Sequence, residues 1–205
     1  VTARARIRDV ALRRFGTDGF AATTIRAVAA DAGVSPALVV HRFGSKEGLR
    51  AACDEVVLAV VREKFDRVDA AGGGPAGMGS VAELAGEAPD LVRYLSRAVV
   101  DGGPQADQLV DALVAESTAA LAAFTADGHV LPTADPPARA ALLVVWELAV
   151  LVMAPHLART TGSDPLTEEG MQRFSRAALE VYTHGLFTDS RWLEAFDVTF
   201  PRRSA

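Results

Sequence analysis

The chain has 205 residues, half of them apolar, enough to bury a core in one or two domains and too apolar for a disordered segment. Its single cysteine, Cys53, excludes an internal disulfide and a thiolate metal cluster within one chain, and fits a reducing cytoplasm. The net charge of −5 hides an asymmetry: residues 1–50 hold nine Arg or Lys against four acids, a balance of +5, which leaves −10 on the rest. A basic head on an acidic body suits a partner that brings phosphates to one end only.

The first predicted helix runs from Ala3 to Phe15, with Ile7, Val10, Ala11 and Phe15 on one stripe and Arg6, Arg13 and Arg14 largely off it. Asp9 and the lack of Ser argue against a transit peptide here. Gly16, Asp18 and Gly19 make a turn, and Phe20 fills a gap beside Ile25. Thr23 or Thr24 then caps a helix whose Ile25, Val28, Ala29 and Ala32 share a face. Gly33 closes it, Ser35 caps the next helix, and Pro36 takes its first position, where a missing N–H costs nothing. Ala29, Gly33 and Val39 stand four and then six residues apart, as two steeply crossing helices require. This is a helix-turn-helix, whose second helix enters the major groove of DNA.

This run resembles the DNA-binding end of the TetR family of bacterial repressors. The resemblance rests on Thr24, Ile25, Arg26, Val28 and Ala29, on the Ala32-Gly33-Val34-Ser35 turn, on Phe43, and on Gly44-Ser45-Lys46-Glu47 opening the following helix. It covers about the first fifty residues closely, and the rest only in length and helical character. It implies an all-α fold: a three-helix head, residues 1–50, followed by an antiparallel helical effector-binding and dimerisation domain, residues 51–205. It implies a groove-facing helix carrying Pro36, Ala37, Leu38, Val40, His41 and Arg42, with Ser35 at its cap. Arg26 matches an Arg that reaches base or backbone in the family, and Thr24 and Lys46 match phosphate clamps. Leu38 or Ala37 can meet a thymine methyl, and Arg42 or His41 can donate to guanine. The chain departs from the pattern at Val40, where the family usually has Tyr, and at Arg42, where Tyr or His is common. The phenolic phosphate contact is therefore lost, and the operator cannot be borrowed from a relative.

Beyond the head, a long helix is expected from Lys46 to about Arg67, joining head to body, with Cys53 as a packed thiol on it. Ala70 to Gly79 reads as a Gly-rich linker; no Gly-Lys-Ser/Thr follows, so it is no phosphate loop. Helices are then expected at Val81–Gly86, Pro89–Val100, Pro104–Ala126, Pro137–Thr160, Thr167–Phe187 and Ser190–Phe196. The apolar run Ala140–Ala154 is too short to span a bilayer and has Glu147 near its centre, so it is expected to be buried and no membrane partner is expected.

No pattern reads as a sheet, and the four scattered histidines lie in no catalytic or metal-ligand spacing, so neither an enzyme nor a metal or cofactor site is expected. The resemblance implies a homodimer through the last two long helices, on a palindromic duplex operator. Met171, Phe174, Ala178, Val181 and Tyr182 form the stripe for that seam. An apolar effector pocket is expected in the body, with Tyr94, Phe124, Trp146 and Met153 facing inward and Arg93, Arg97, Glu116 and Glu147 as candidate polar hooks. The favoured reading is thus a cytoplasmic, ligand-responsive repressor. Its rivals are a DNA-binding regulator with no small ligand and an all-helical enzyme.

Overall fold

The computed structural model describes residues 2–70 and 89–200, and among them ten helices and no strand. In chain order these are α1 (Ala3–Asp18), α2 (Ile25–Asp31), α3 (Pro36–Phe43), α4 (Lys46–Ala70), α5 (Pro89–Asp101), α6 (Pro104–Ala126), α7 (Pro136–Val152), α8 (Ala154–Thr161), α9 (Glu168–His184) and α10 (Arg191–Thr199). The expected helix at Val81–Gly86 and most of the Gly-rich linker lie outside the described residues.

Short polar side chains start most of these helices by taking the otherwise unpaired N–H groups of the first turn. Thr2 accepts from Ala5, Thr24 from Ala27, Ser35 from Leu38, Ser45 from Gly48, Asp135 from Ala138 and Thr167 from Gly170. Positive-φ glycines stop α1 at Gly19 and α9 at Gly185, three residues later and three earlier than the sequence reading placed the ends.

The chain divides into two compact units, residues 1–171 and 172–205. The first has one continuous core. Ile7, Val10, Ala11 and Phe15 of α1 meet Val28 and Ala29 of α2, Val39 of α3 and Leu49, Cys53 and Val57 of α4, and the same core continues through Leu91 and Tyr94 of α5 to Leu109, Leu113, Val144 and Leu148. Cys53 is fully buried, and burial raises its thiol pKa, so it is the packed thiol expected. The α1–α5 contact is unusually close because Gly16 faces α5. A Cβ there would stand 2.9 Å from the backbone nitrogen of Tyr94.

The single helix expected over Pro137–Thr160 is two helices, α7 and α8, bent by 72° at Met153. Pro155 is the reason: it has no N–H to give back to the carbonyl four residues earlier, and its ring crowds that carbonyl. Nor is α7 covered all round. Ala140, Val144, Leu148 and Leu151 are buried, while Leu142, Val145, Trp146 and Met153 are exposed. By length and composition α6 is apolar enough to cross a membrane, a feature the sequence reading passed over. Its buried stripe is spent against the core, and Glu116 in its middle is paired with Arg62 of α4.

In the second unit, Phe174, Ala178 and Val181 of α9 are half-buried and Tyr182 is exposed. Along α10 and its flanks Phe187, Trp192, Leu193 and Phe196 are exposed, with Phe187 and Trp192 ring centroids 5.7 Å apart.

Candidate nucleic-acid interface

The head fixes α3 from below and leaves its outer face free. Val39 is fully buried and Phe43 half-buried, with the Arg4 guanidinium 5.6 Å from the Phe43 ring. Both are therefore core, not readout. Because α3 turns every 3.6 residues, burying Val39 and Phe43 turns Ala37, Val40, His41 and Arg42 away from the core; these four are exposed, as is Pro36 in the open first turn. Leu38 is half-buried beside them.

The orientation of α2 comes from α1. Arg14 donates from Nε to Asp31 at 2.7 Å and from Nη1 to Asp18 at 3.1 Å, tying the end of α2 to the end of α1. The Arg14 hydrogen bond holds the Asp31 carboxyl below its ordinary range. Arg26, in the first turn of α2, is exposed. The Thr24 oxygen accepts from Ala27, which leaves its O–H free to donate to a phosphate. Lys46 Nζ lies 4.3 Å from the centroid of the Phe20 ring and donates to the Ala21 carbonyl at 3.3 Å, so its charge is held beside the start of α2.

With Ser35 at the cap of α3, the ten expected contact residues fall on α2, α3 and the starts of α2, α3 and α4. One residue of the head's edge was missed. Arg50, one turn after Lys46, is 4% exposed, with its guanidinium 4.9 Å from the same Phe20 ring. Its spacing of four from Lys46 was the available signal.

The five expected pocket residues are not brought together. Tyr94 is buried and its hydroxyl donates to Asp54 of α4, whose carboxyl burial pushes above its ordinary pKa. Glu116 takes Arg62 at 2.6 Å. Glu147 is half-buried, Trp146 is 42% exposed and Met153 45% exposed, so the inward direction assigned to Trp146 and Met153 is corrected: both follow Leu142 and Val145 onto the outer face of α7. Arg97 alone of the five lines an open cleft of about 590 Å³, whose walls include Gly16 of α1, Val92, Arg93 and Val100 of α5, Leu151 and Pro155. Of the seam residues, Met171 packs on the core of the first unit, and the other four belong to the second.

The family model for tetR-family bacterial regulatory proteins matches residues 7–53, and one for tetracyclin repressor-like C-terminal domains matches residues 87–188. The transcriptional regulatory protein RaaS of Mycobacterium tuberculosis is 36% identical over 96% of this chain and 92% of its own length. The regulator BetI of Rhizobium meliloti is 47% identical over 55 residues, 27% of each chain. Among solved structures, Thermus thermophilus FadR, a TetR-family repressor in complex with lauroyl-CoA, aligns over 98% of this chain and all of its own at a TM-score of 0.59 and 20% identity, a likeness of fold. The helical head, the matched models and the full-length relative together make this chain a member of the TetR family of bacterial transcriptional regulators.

Proposed function

We propose that the chain is a ligand-responsive repressor that binds a palindromic DNA operator as a homodimer in the cytoplasm, with residues 1–50 as the reading head and residues 51–205 as the effector-binding and dimerising body. The observation that carries this is the outer face of α3. Five exposed residues, Pro36, Ala37, Val40, His41 and Arg42, project from a helix anchored by Val39, with Thr24 and Lys46 at its flanks as phosphate partners. Arg42 is the base reader and Lys46 the phosphate grip. Arg26 adds a second cation at the start of α2, and Ser35 contributes as the cap that sets the angle of α3. A single short helix reads too little DNA to be selective, and two-fold pairing supplies a second half-site. Phe174, Ala178, Val181 and Tyr182 of α9 and the exposed α7 face are the surfaces for that pairing.

Effector control is supported by the cleft of about 590 Å³, within the 300–1,000 Å³ range typical of small-molecule sites. It is largely apolar, with Arg93 and Arg97 one turn apart on one wall. The lauroyl-CoA carried by FadR supports an effector with an apolar chain. An effector acts by binding the DNA-incompetent state more tightly, so its affinity and the operator's are reciprocally coupled.

Substitution at the interface tests the reading on a duplex that the parent protein selects from a random pool. Arg42→Ala should cost about 1 to 3 kcal/mol and relax preference at one position, whereas Lys46→Ala should weaken every sequence alike and reduce the salt slope by about one. If both changes act uniformly across sequences, the base contact assigned to Arg42 is wrong.

A further inference from the structure

Between the cleft and the head lies a second, much smaller space. Its volume is about 10 Å³, room for one water-sized group, and Phe15, Phe20, Arg50, Tyr94, Arg97 and Asp101 are among its walls. Arg97 therefore borders both spaces, the cleft on one side and this gap on the other. Across the gap stands Arg50, 4% exposed, whose Nε and Nη2 are buried without a hydrogen-bond partner. A buried guanidinium with idle donors is an unfinished arrangement: it draws any carboxylate that can reach it.

Two carboxylates are near enough to matter. Asp54 is held by the Tyr94 hydroxyl and is not on the wall of the gap. Asp101 is on the wall, but its carboxylate is taken by Arg97 Nε at 2.7 Å. That pair is half-exposed and of the i,i+4 kind, so it is weak and an anion can compete for Arg97. Arg93, also on the cleft wall, is likewise paired only with an acid of its own helix, Asp90, at 3.0 Å.

Building on the effector reading above, we propose that the cleft accepts an amphipathic anion, a carboxylate or phosphate on an apolar chain, and that Arg97 converts its arrival into a movement of the head. The anion draws Arg97 away from Asp101. The freed Asp101 carboxylate turns to the idle donors of Arg50 and draws the guanidinium off the Phe20 ring. Phe20 carries the Lys46 ammonium on the same ring, so a shift of that ring as Arg50 leaves it displaces the phosphate grip. Gly19 lies against this relay, since a Cβ there would stand 2.8 Å from Arg97 Nη2, so the turn between α1 and α2 moves with it.

Removing Arg97 should imitate the anion, which gives a test free of any ligand. On the duplex selected by the parent, Arg97→Gln should bind about tenfold more weakly, a typical coupling, and Asp101→Asn within about twofold of the parent. The double variant Arg97→Gln/Asp101→Asn should recover to within about twofold of the parent, because no carboxylate remains to pull Arg50. A merely structural role for Arg97 gives no such rescue. Parent-like binding by Arg97→Gln, or a double variant as weak as the single, overturns the relay. The crystal structure of Arg97→Gln decides independently of DNA: Asp101 should stand about 3 Å from Arg50, and an Arg50 still unpartnered on Phe20 overturns the relay. If the parent selects no duplex at all, it is the regulator reading that fails, and the crystal structure still judges the relay. Sodium decanoate and 1-decanol then probe the ligand class. Decanoate should release the parent from DNA and spare the double variant; release of both alike, or by the alcohol as well as the acid, overturns the anion as trigger.

Discussion

The head and the far helices of this chain are built by opposite rules. In α1, α2 and α3 each start has its hydroxyl cap, the buried stripe is short and continuous, and what faces solvent is small, polar or cationic apart from Val40. In α7, α9 and α10 large apolar side chains face outward: Leu142, Val145 and Trp146 on one, Tyr182 on the next, and Trp192, Leu193 and Phe196 on the last. Scattered exposed apolar residues are ordinary, but rows of them, as on α7 and α10, mark surfaces made to be covered. The head is complete as one chain and is designed to meet phosphate. The far helices leave large apolar side chains uncovered, and the proposed dimer seam draws on that surface.

The largest effect should come from attacking that difference directly. Phe174→Asp together with Val181→Asp places two charges in the proposed seam, each costing about 3–5 kcal/mol where it is buried unpaired. The double variant should sediment as a monomer or unfold, and operator binding should fall with it. A parent protein that already sediments as a monomer removes the contrast between the two regions.

A smaller effect tests whether the head is as locally specified as it looks. Gly48, in the first turn of α4, sits where helix propensity favours Ala by about 1 kcal/mol. Yet a Cβ at Gly48 would stand 2.0 Å from the carbonyl oxygen of Phe43, because the chain doubles back under the Ser45 cap. The same device recurs at Gly170, where a Cβ would meet the Asp164 carbonyl at 1.7 Å. Gly48→Ala should therefore destabilise the protein by about 1–3 kcal/mol in urea unfolding, against the sign that propensity gives. A variant as stable as the parent would show that α4 starts by local rules alone.

These two glycines also show where the sequence was legible. The helix-turn-helix could be read nearly residue by residue, since Thr24, Gly33, Ser35 and Pro36 each act through neighbours three or four positions away. The residues expected to be core there, Val39 and Phe43, are core. The body was legible in helix order among the described residues, but one expected helix is two, and the direction of its faces was not legible. Trp146 lies one helical face away from Val144 and Leu148, and a segment apolar all round offers no phase to choose by. The bend at Met153 has a local cause in Pro155. The partners of Arg50 and Asp54 were not legible for another reason: Phe20 and Tyr94 lie 30 and 40 residues away, and only the packed fold brings them together.

Asp54 supplies the smallest and most specific test, because it sits on α4 just beyond the head, where the two styles of construction meet. Its carboxyl is pushed above the ordinary value of 3.8, with burial as the largest cause, and the Tyr94 hydroxyl and the Arg50 charge oppose that push without cancelling it. A raised folded-state pKa means that the native protein holds the proton more tightly than the unfolded chain. Between the two pKa values the native state binds more protons, so this group's contribution to stability rises as pH falls and is lost as pH climbs through the folded value. Asp31 runs the other way. Its hydrogen bond from Arg14 lowers the pKa, so its contribution is present above the unfolded value and lost on acidification through the folded one. Asp54→Asn keeps an acceptor for Tyr94 and removes the titration. The parent's Tm, measured from neutral pH down to just above the ordinary carboxylate range, should contain a rise that the Asn variant lacks, and the variant should equal or exceed the parent at pH 7. A variant that is less stable at pH 7 and keeps the same pH slope would mean that the ionised carboxylate is a favourable partner for Arg50, and that the joint between head and body is held by charge rather than strained by it.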